Sequence, residues 1–378
     1  MNINYVIPCL LGVESLIADE MRSLGAGNVT AENGRVLFDG DEYILARANI
    51  CSHFAERIQI LVGTFEARSF EELFQGTKSL PWEEWIAADD AFPVKGYSIN
   101  STLFSVSDCQ SIIKKAVVER LKSKYGISWF EETGPIHQIQ FSVMKDKVSL
   151  LLDTSGAGLH KRGYRLEAND APLKETLAAA IASLARVRPY HTLYDPMCGS
   201  GTILIEGAML AHNIAPGIRR NFSAERWDVI PREVWAQERE RAKDLIVRES
   251  SFTAYGSDID ENALRIAKDN AKRAGVASKL YFEKCDIKDF EMKTEKGTLI
   301  CNPPYGERLL DIEQDQNIYR IMGERFKPQR GRSYYIISPS EEFEHEFGRK
   351  ADKRRKLYNG MLKTNLYQYM GPKPPNNL

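Results

Sequence analysis

The sequence has little from which to build a metal site or a disulfide frame. Its six cysteines are Cys9, Cys51, Cys109, Cys198, Cys285 and Cys301, with no C-x-x-C pair and no histidine at ligand spacing. That spacing speaks against zinc and for reduced thiols in the cytoplasm, and no metal is expected. No apolar run approaches the roughly 18 residues of a membrane span, so no membrane partner is expected. The N-terminus, MNINYVIPCLLGVESL, lacks a basic n-region and a small-residue cleavage site, the marks of a signal peptide. Charge of one sign is also missing. The net charge of −1 means that any nucleic-acid binding must come from local clusters. Internal repeats and low-complexity tracts are absent.

What the chain does have is enough apolar material, 43% of 378 residues, to bury more than one core. Residues 1–65 read β-α-β-β-α-β, with Asn33-Gly34 as a hairpin turn, which is the order of a ferredoxin-like α+β unit. Residues 66–156 carry helical pieces at 69–74 and 82–87 and a strand near 92–99. A long helix at 107–124 follows, with Ser107 and Asp108 available as caps, then strands 136–144 and 147–153 turning at Lys145-Asp146. Residues 157–171, around Ala168-Asn169-Asp170, read as a linker. From 172 to 378 strands alternate with helices, the pattern of a doubly wound, mostly parallel sheet. Asn359-Gly360, between two short runs, makes the last strand antiparallel.

Four points in this last region carry chemistry. In LYDPMCGSGTILIEGA a strand ends at Asp195, and Gly199 and Gly201 turn the chain into a helix and let a ligand approach closely. Leu204 breaks the G-x-G-x-x-G fingerprint of a nicotinamide enzyme, and Asp195 suits a cation better than a pyrophosphate. In AYGSDIDENAL a strand ends at Asp258, placed to accept from a ribose diol, while Asp260 fits the helix cap. The step from Gly201 to Asp258 is longer than in dinucleotide folds, and an insertion at 213–249, carrying Arg219, Arg220 and Arg226, fills it. Asp286 follows the next strand and can accept from an adenine amine.

The fourth point is NPPY, residues 302–305. Two prolines stiffen the chain and push it into extended backbone. An exocyclic base amine is a poor nucleophile because its lone pair is delocalised into the ring. Two fixed acceptors, the Asn302 side-chain oxygen and the Pro303 carbonyl, would orient it, and Tyr305 would stack on the base. Any one of these signals alone has a structural explanation; their order on consecutive strands is the specific feature.

The run DPMCGSGT, GSDID, CD, NPPY resembles class I S-adenosylmethionine-dependent methyltransferases that methylate amines. LHKRGYR, APLKETLAAAI, IAPGIRRNF and NPPYGERL narrow the resemblance to THUMP-containing RNA guanine-N2 methyltransferases, closest to the bacterial enzymes of large-subunit rRNA. It covers nearly the whole chain. The resemblance implies a Rossmann-like catalytic domain behind a ferredoxin-like segment and a THUMP domain. It implies S-adenosylmethionine held at Asp195, Cys198, Gly199, Gly201, Asp258, Ile259 and Asp286, with catalysis by Asn302, Pro303 and Tyr305. The expected partner is RNA, ribosomal or transfer. Two basic clusters, HKRGYR and GRKADKRRK, are expected to meet phosphates through Lys161, Arg162, Arg165, Arg354 and Arg355, joined by Arg219 and Arg220. Because NPPY also occurs in adenine-N6 enzymes, adenine methylation is the alternative. A THUMP RNA-binding protein with a dead catalytic domain is another, though the cofactor motifs show no damage.

Overall fold

The computed structural model describes residues 2–165, 173–305 and 309–372. Ala168-Asn169-Asp170 of the expected linker, the expected domain start at Pro172, and Gly306 to Arg308 of the NPPYGERL motif lie outside them.

The described residues form two compact units. The first comprises 1–9, 17–159 and 220–241. Its strands are β1 (Ile3–Pro8), β2 (Gly27–Glu32), β3 (Arg35–Gly40), β4 (Gln59–Glu66), β5 (Val94–Ile99), β6 (Ile139–Met144) and β7 (Lys147–Asp153). They make one sheet in the order β2-β3-β1-β4-β7-β6-β5. The ferredoxin-like half, β1 to β4, thus continues into the second half by antiparallel pairing of β4 with β7. Local signals act as expected at several points. Asp41 caps the helix Glu42–Cys51 by accepting from the Ile44 amide at 3.0 Å. Lys145 and Asp146 both take positive φ, +51° and +65°, in the tight β6–β7 turn.

Two local expectations are corrected. The helix Val106–Tyr125 is capped by Ser105, which accepts from the Asp108 amide, so Ser107 and Asp108 lie inside its first turn. The helix expected at 82–87 is a short 3-10 turn, Trp82–Glu84.

A third departure is larger. The middle of the 213–249 insertion, residues 220–241, belongs to the first unit. Trp227 stacks on His137 with centroids 4.2 Å apart and donates Nε1–H to the Ile136 carbonyl at 3.0 Å. Glu238 receives both ends of the Arg47 guanidinium at 2.7 and 2.8 Å. Large aromatic burial and a bidentate ion pair hold the segment in that unit.

The second unit comprises 10–16, 160–219 and 242–378. Its strands are β8 (Thr192–Asp195), β9 (Thr253–Asp258), β10 (Leu280–Lys284), β11 (Gly297–Cys301), β12 (Arg332–Ser338), β13 (Lys353–Asn359) and β14 (Leu362–Met370), in the order β10-β9-β8-β11-β12-β14-β13. β8 to β12 are parallel, and β14 runs antiparallel to β12 and β13. This is a Rossmann-like sheet with the antiparallel end expected. The strand order reverses between β8 and β11. A crevice opens beyond the carboxyl ends of strands at such a point.

Candidate active site

That crevice is where the sequence motifs meet. A cavity of about 640 Å³ opens there, of a size that holds a nucleoside-like molecule. Asp195, Cys198, Gly199, Asp258, Ile259, Asp286 and Asn302 are in its wall. Gly201, Pro303 and Tyr305 are not among the residues of its wall, while Pro304 is.

Each side chain is set by its element. Gly199 and Gly201 carry φ of +50° and +79°. A Cβ on Gly201 would sit 3.1 Å from the Ala267 Cβ, so Gly201 serves helix packing rather than the cavity. The Gly199 amide donates to Asp258 Oδ2 at 2.9 Å, and the Asp260 amide donates to Asp258 Oδ1 at 3.0 Å. Asp260 itself caps the helix Glu261–Ala274, accepting from the Asn262 amide at 2.8 Å. Asp286 accepts the Lys288 amide at 3.0 Å. This bond, ahead of the Lys288 ammonium 3.2 Å away, holds its pKa below the usual value.

Asp195 is 1% exposed and accepts the Met197 amide at 3.2 Å. Burial, with the Asp258 charge adding to it, pushes its pKa up to about 8. Burial also drives the Cys198 and Cys301 thiols well above their ordinary range, so neither is a ready nucleophile. Asn302 presents a buried Oδ1 with no hydrogen-bond partner among the described residues. Tyr305 is oriented by Asn359, whose Nδ2 donates to the tyrosine oxygen at 3.2 Å.

The residues fit S-adenosylmethionine. A desolvated acid at the cavity wall is stabilised in its charged form by a cation. Asp258 is held rigidly, with acceptor capacity remaining for a diol.

The expected phosphate contacts divide. Arg162 and Arg165 are corrected. Arg162 is 6% exposed and pairs with the fully buried Glu206 at 3.4 Å, which also accepts from Tyr164 Oη at 3.0 Å. Arg165 pairs with Glu175 at 2.8 Å and donates to the Leu173 carbonyl at 2.9 Å. Burying Glu206 and Glu175 raises both pKa values, and the arginines oppose this. These cations satisfy buried acids and do not face a solvent-borne phosphate. Arg355 is engaged as well, donating to the Gly12 carbonyl at 3.0 and 2.7 Å. Arg220 donates to the Ala157 carbonyl at 2.7 Å and lies over Phe222. Lys161, Arg219 and Arg354 are exposed, though Arg219 donates to the Arg273 carbonyl at 3.0 Å and Arg354 pairs with Glu344 at 3.4 Å.

Sequence reasoning missed Lys288, Thr202, Asn317, Ile318 and Ile321, all in the cavity wall. The last three follow helical spacing after NPPY, a signal that was available. Glu206 was also legible, since a lone acid in TILIEGAMLA requires a buried partner.

No helix among the described residues is long and apolar enough to cross a membrane. No group of three or more metal-ligating side chains occurs among them.

Residues 162–368 match the RMKL-like methyltransferase domain, 67–153 the THUMP domain and 4–59 the RlmL ferredoxin-like domain. YpsC of Bacillus subtilis, provisionally named an RNA methyltransferase, is 44% identical over 361 residues, 95% of this chain and 94% of its own. The ribosomal RNA large subunit methyltransferase K/L of Psychromonas ingrahamii is 33% identical over 99% of this chain. The chain spans only 51% of that relative's length. The crystal structure of SMU.472, provisionally described as a methyltransferase and complexed with SAH, superposes with a TM-score of 0.93. It is 40% identical, with 99% of each chain covered.

Proposed function

This chain belongs to the RMKL-like methyltransferases that carry an RlmL ferredoxin-like domain and a THUMP domain, and on that premise we propose that it methylates the exocyclic N2 amine of a guanine in structured RNA, large-subunit ribosomal RNA first. The observation that carries the reading is Asn302: a buried acceptor at the wall of the cavity, without a partner among the described residues. A buried acceptor left unmade is costly, so its place is explained by a donor that arrives with the substrate.

S-adenosylmethionine, when bound, supplies an electrophilic methyl group on a sulfonium. Asp195 would face its positive charge, Asp258 its ribose hydroxyls, and Asp286 its adenine amine. Asn302 Oδ1 and the Pro303 carbonyl would accept the two N–H bonds of the guanine amine. This turns the nitrogen lone pair out of conjugation and fixes its direction before attack. The proline pair keeps both acceptors from relaxing away. After attack the nitrogen carries a surplus proton and loses it readily to water, so no histidine or lysine base is needed. The target base must leave its stack to reach Asn302. The THUMP domain would hold the RNA by shape and backbone, leaving the choice of base to the catalytic unit.

The test is incubation with methyl-tritiated S-adenosylmethionine and RNA from cells lacking the gene, followed by nucleoside digestion. Labelled N2-methylguanosine is expected. Label in N6-methyladenosine would replace the reading with the adenine alternative, and no label in RNA would end it.

A further inference from the structure

Met361 is 99% exposed. It lies in the two-residue turn between β13 and β14, where Asn359 pairs with Leu362 and leaves Gly360 and Met361 at the tip. Gly360 has φ of +64°, the left-handed first position of a tight hairpin turn. β14 pairs with β12 as far as Asn365 opposite Ser338. Four further residues carry the tip roughly 13 Å past the end of β12. It projects on the carboxyl edge of the parallel strands, where Asn302 follows β11. The tip is also tied to the catalytic loop, because Asn359 donates to the Tyr305 oxygen at 3.2 Å. Exposed Lys356 and Lys363 flank it on the two strands.

We propose that Met361 is a wedge that enters the base stack of the RNA and fills the gap left when the target base swings out toward Asn302. The inference rests on the reading of the cavity as a site for an extruded base. Emptying a stack costs free energy, and an apolar side chain between the neighbouring bases recovers part of it. An unbranched, polarizable thioether covers a base face well. The hairpin makes the wedge rigid, and the contact between Asn359 and Tyr305 fixes it relative to the loop that receives the base. Lys356 and Lys363 are placed to meet the phosphates on either side of the gap. The exposed methionine, its height above the strand ends and its link to NPPY are then parts of one device.

The test compares Met361→Ala, Met361→Leu and the unmodified chain on ribosomal RNA from cells lacking the gene. The RNA is used once folded and once cut to short single strands. Met361 is fully exposed, so the substitutions leave folding intact. The ratio of kcat/KM on folded RNA to that on single strands should fall on the order of tenfold or more in Met361→Ala. Met361→Leu should restore most of it, and affinity for S-adenosylhomocysteine should be the same in all three. An equal loss on both RNAs would make the tip a general RNA contact and overturn the wedge, as would an unchanged ratio. If the unmodified chain labels no guanine in either RNA, the proposed reaction has failed, and the wedge falls with it.

Discussion

The Gly199 amide donates to Asp258 Oδ2 at 2.9 Å, joining the glycine turn after β8 to the acid that ends β9. Two motifs that are 59 residues apart in sequence are thereby one rigid element of the cavity wall. The same carboxylate accepts the Asp260 amide, so its orientation is fixed before any ligand arrives. Preorganisation of this kind lowers the ordering cost of binding.

Removing that carboxylate should weaken the cofactor site on two counts, loss of the loop anchor and loss of the ribose acceptors. Hydrogen bonds to charged groups contribute about 1.5–3 kcal/mol each. Asp258→Ala should therefore lower affinity for S-adenosylhomocysteine at least tenfold by titration calorimetry. An unchanged affinity would remove Asp258 from the site.

Asn302→Ala should separate binding from chemistry. The side chain is proposed to act on the base amine, so S-adenosylhomocysteine affinity should stay near that of the unmodified chain. Turnover on RNA should fall by orders of magnitude, the pattern left by losing an acceptor used in the transition state. Turnover within a fewfold of normal would make NPPY a structural turn.

Asp195 gives a pH signature. Its folded pKa of about 8 stands well above the value near 4 of an unfolded aspartate. Between those values the folded chain holds a proton that the unfolded chain has released. Stability therefore falls as pH rises through that window. An asparagine at this position would be neutral throughout, so Asp195→Asn should raise Tm, with a gap that widens from about pH 5 to about pH 8. The same variant should bind S-adenosylmethionine more weakly. In the unmodified chain, binding this cation below about pH 8 should release a proton. Calorimetry in buffers of different ionisation enthalpy reads that release, and a Tm gap independent of pH would refute the burial argument.

The cations of the HKRGYR run should behave in two ways. Arg162→Ala leaves Glu206 buried without its cation, a change that typically costs about 3–5 kcal/mol. Thermal denaturation should show a clear loss. Lys161→Glu, at an exposed position, should leave Tm alone and weaken RNA binding, with a shallower salt dependence. The reverse outcome would return Arg162 to the RNA surface.

A chain beginning at residue 157 should fail as a stand-alone catalytic fragment. It would retain residues 220–241 while losing the His137 ring on which Trp227 stacks and the Arg47 guanidinium that pairs with Glu238. Exposed Trp227, with Glu238 left only its looser contact to Arg241 at 3.7 Å, predicts aggregation. Sedimentation of the expressed fragment checks this, and a soluble, monodisperse fragment would contradict it.

Features that depend on local order could be read from the residues alone. Periodicity and turn residues marked the ferredoxin-like unit, the parallel strands and the final antiparallel hairpin. The acids closing β8 and β9, Asp286 two residues after β10, and NPPY directly after β11 named the carboxylates and the Asn302 amide of the cavity wall. A parallel sheet brings strand ends to one edge whatever the connections between them, so these residues were legible without coordinates. The destinations of the charges became clear only in the folded chain. Nothing local in HKRGYR tells Lys161, which stays in water, from Arg162, which must neutralise Glu206 more than forty residues later. Nor does local sequence show that Arg355 is occupied by the Gly12 carbonyl, or that residues 220–241 leave the unit that surrounds them in sequence. Burial sets whether a cation binds an internal acid or an external phosphate, and burial is a property of the folded chain as a whole.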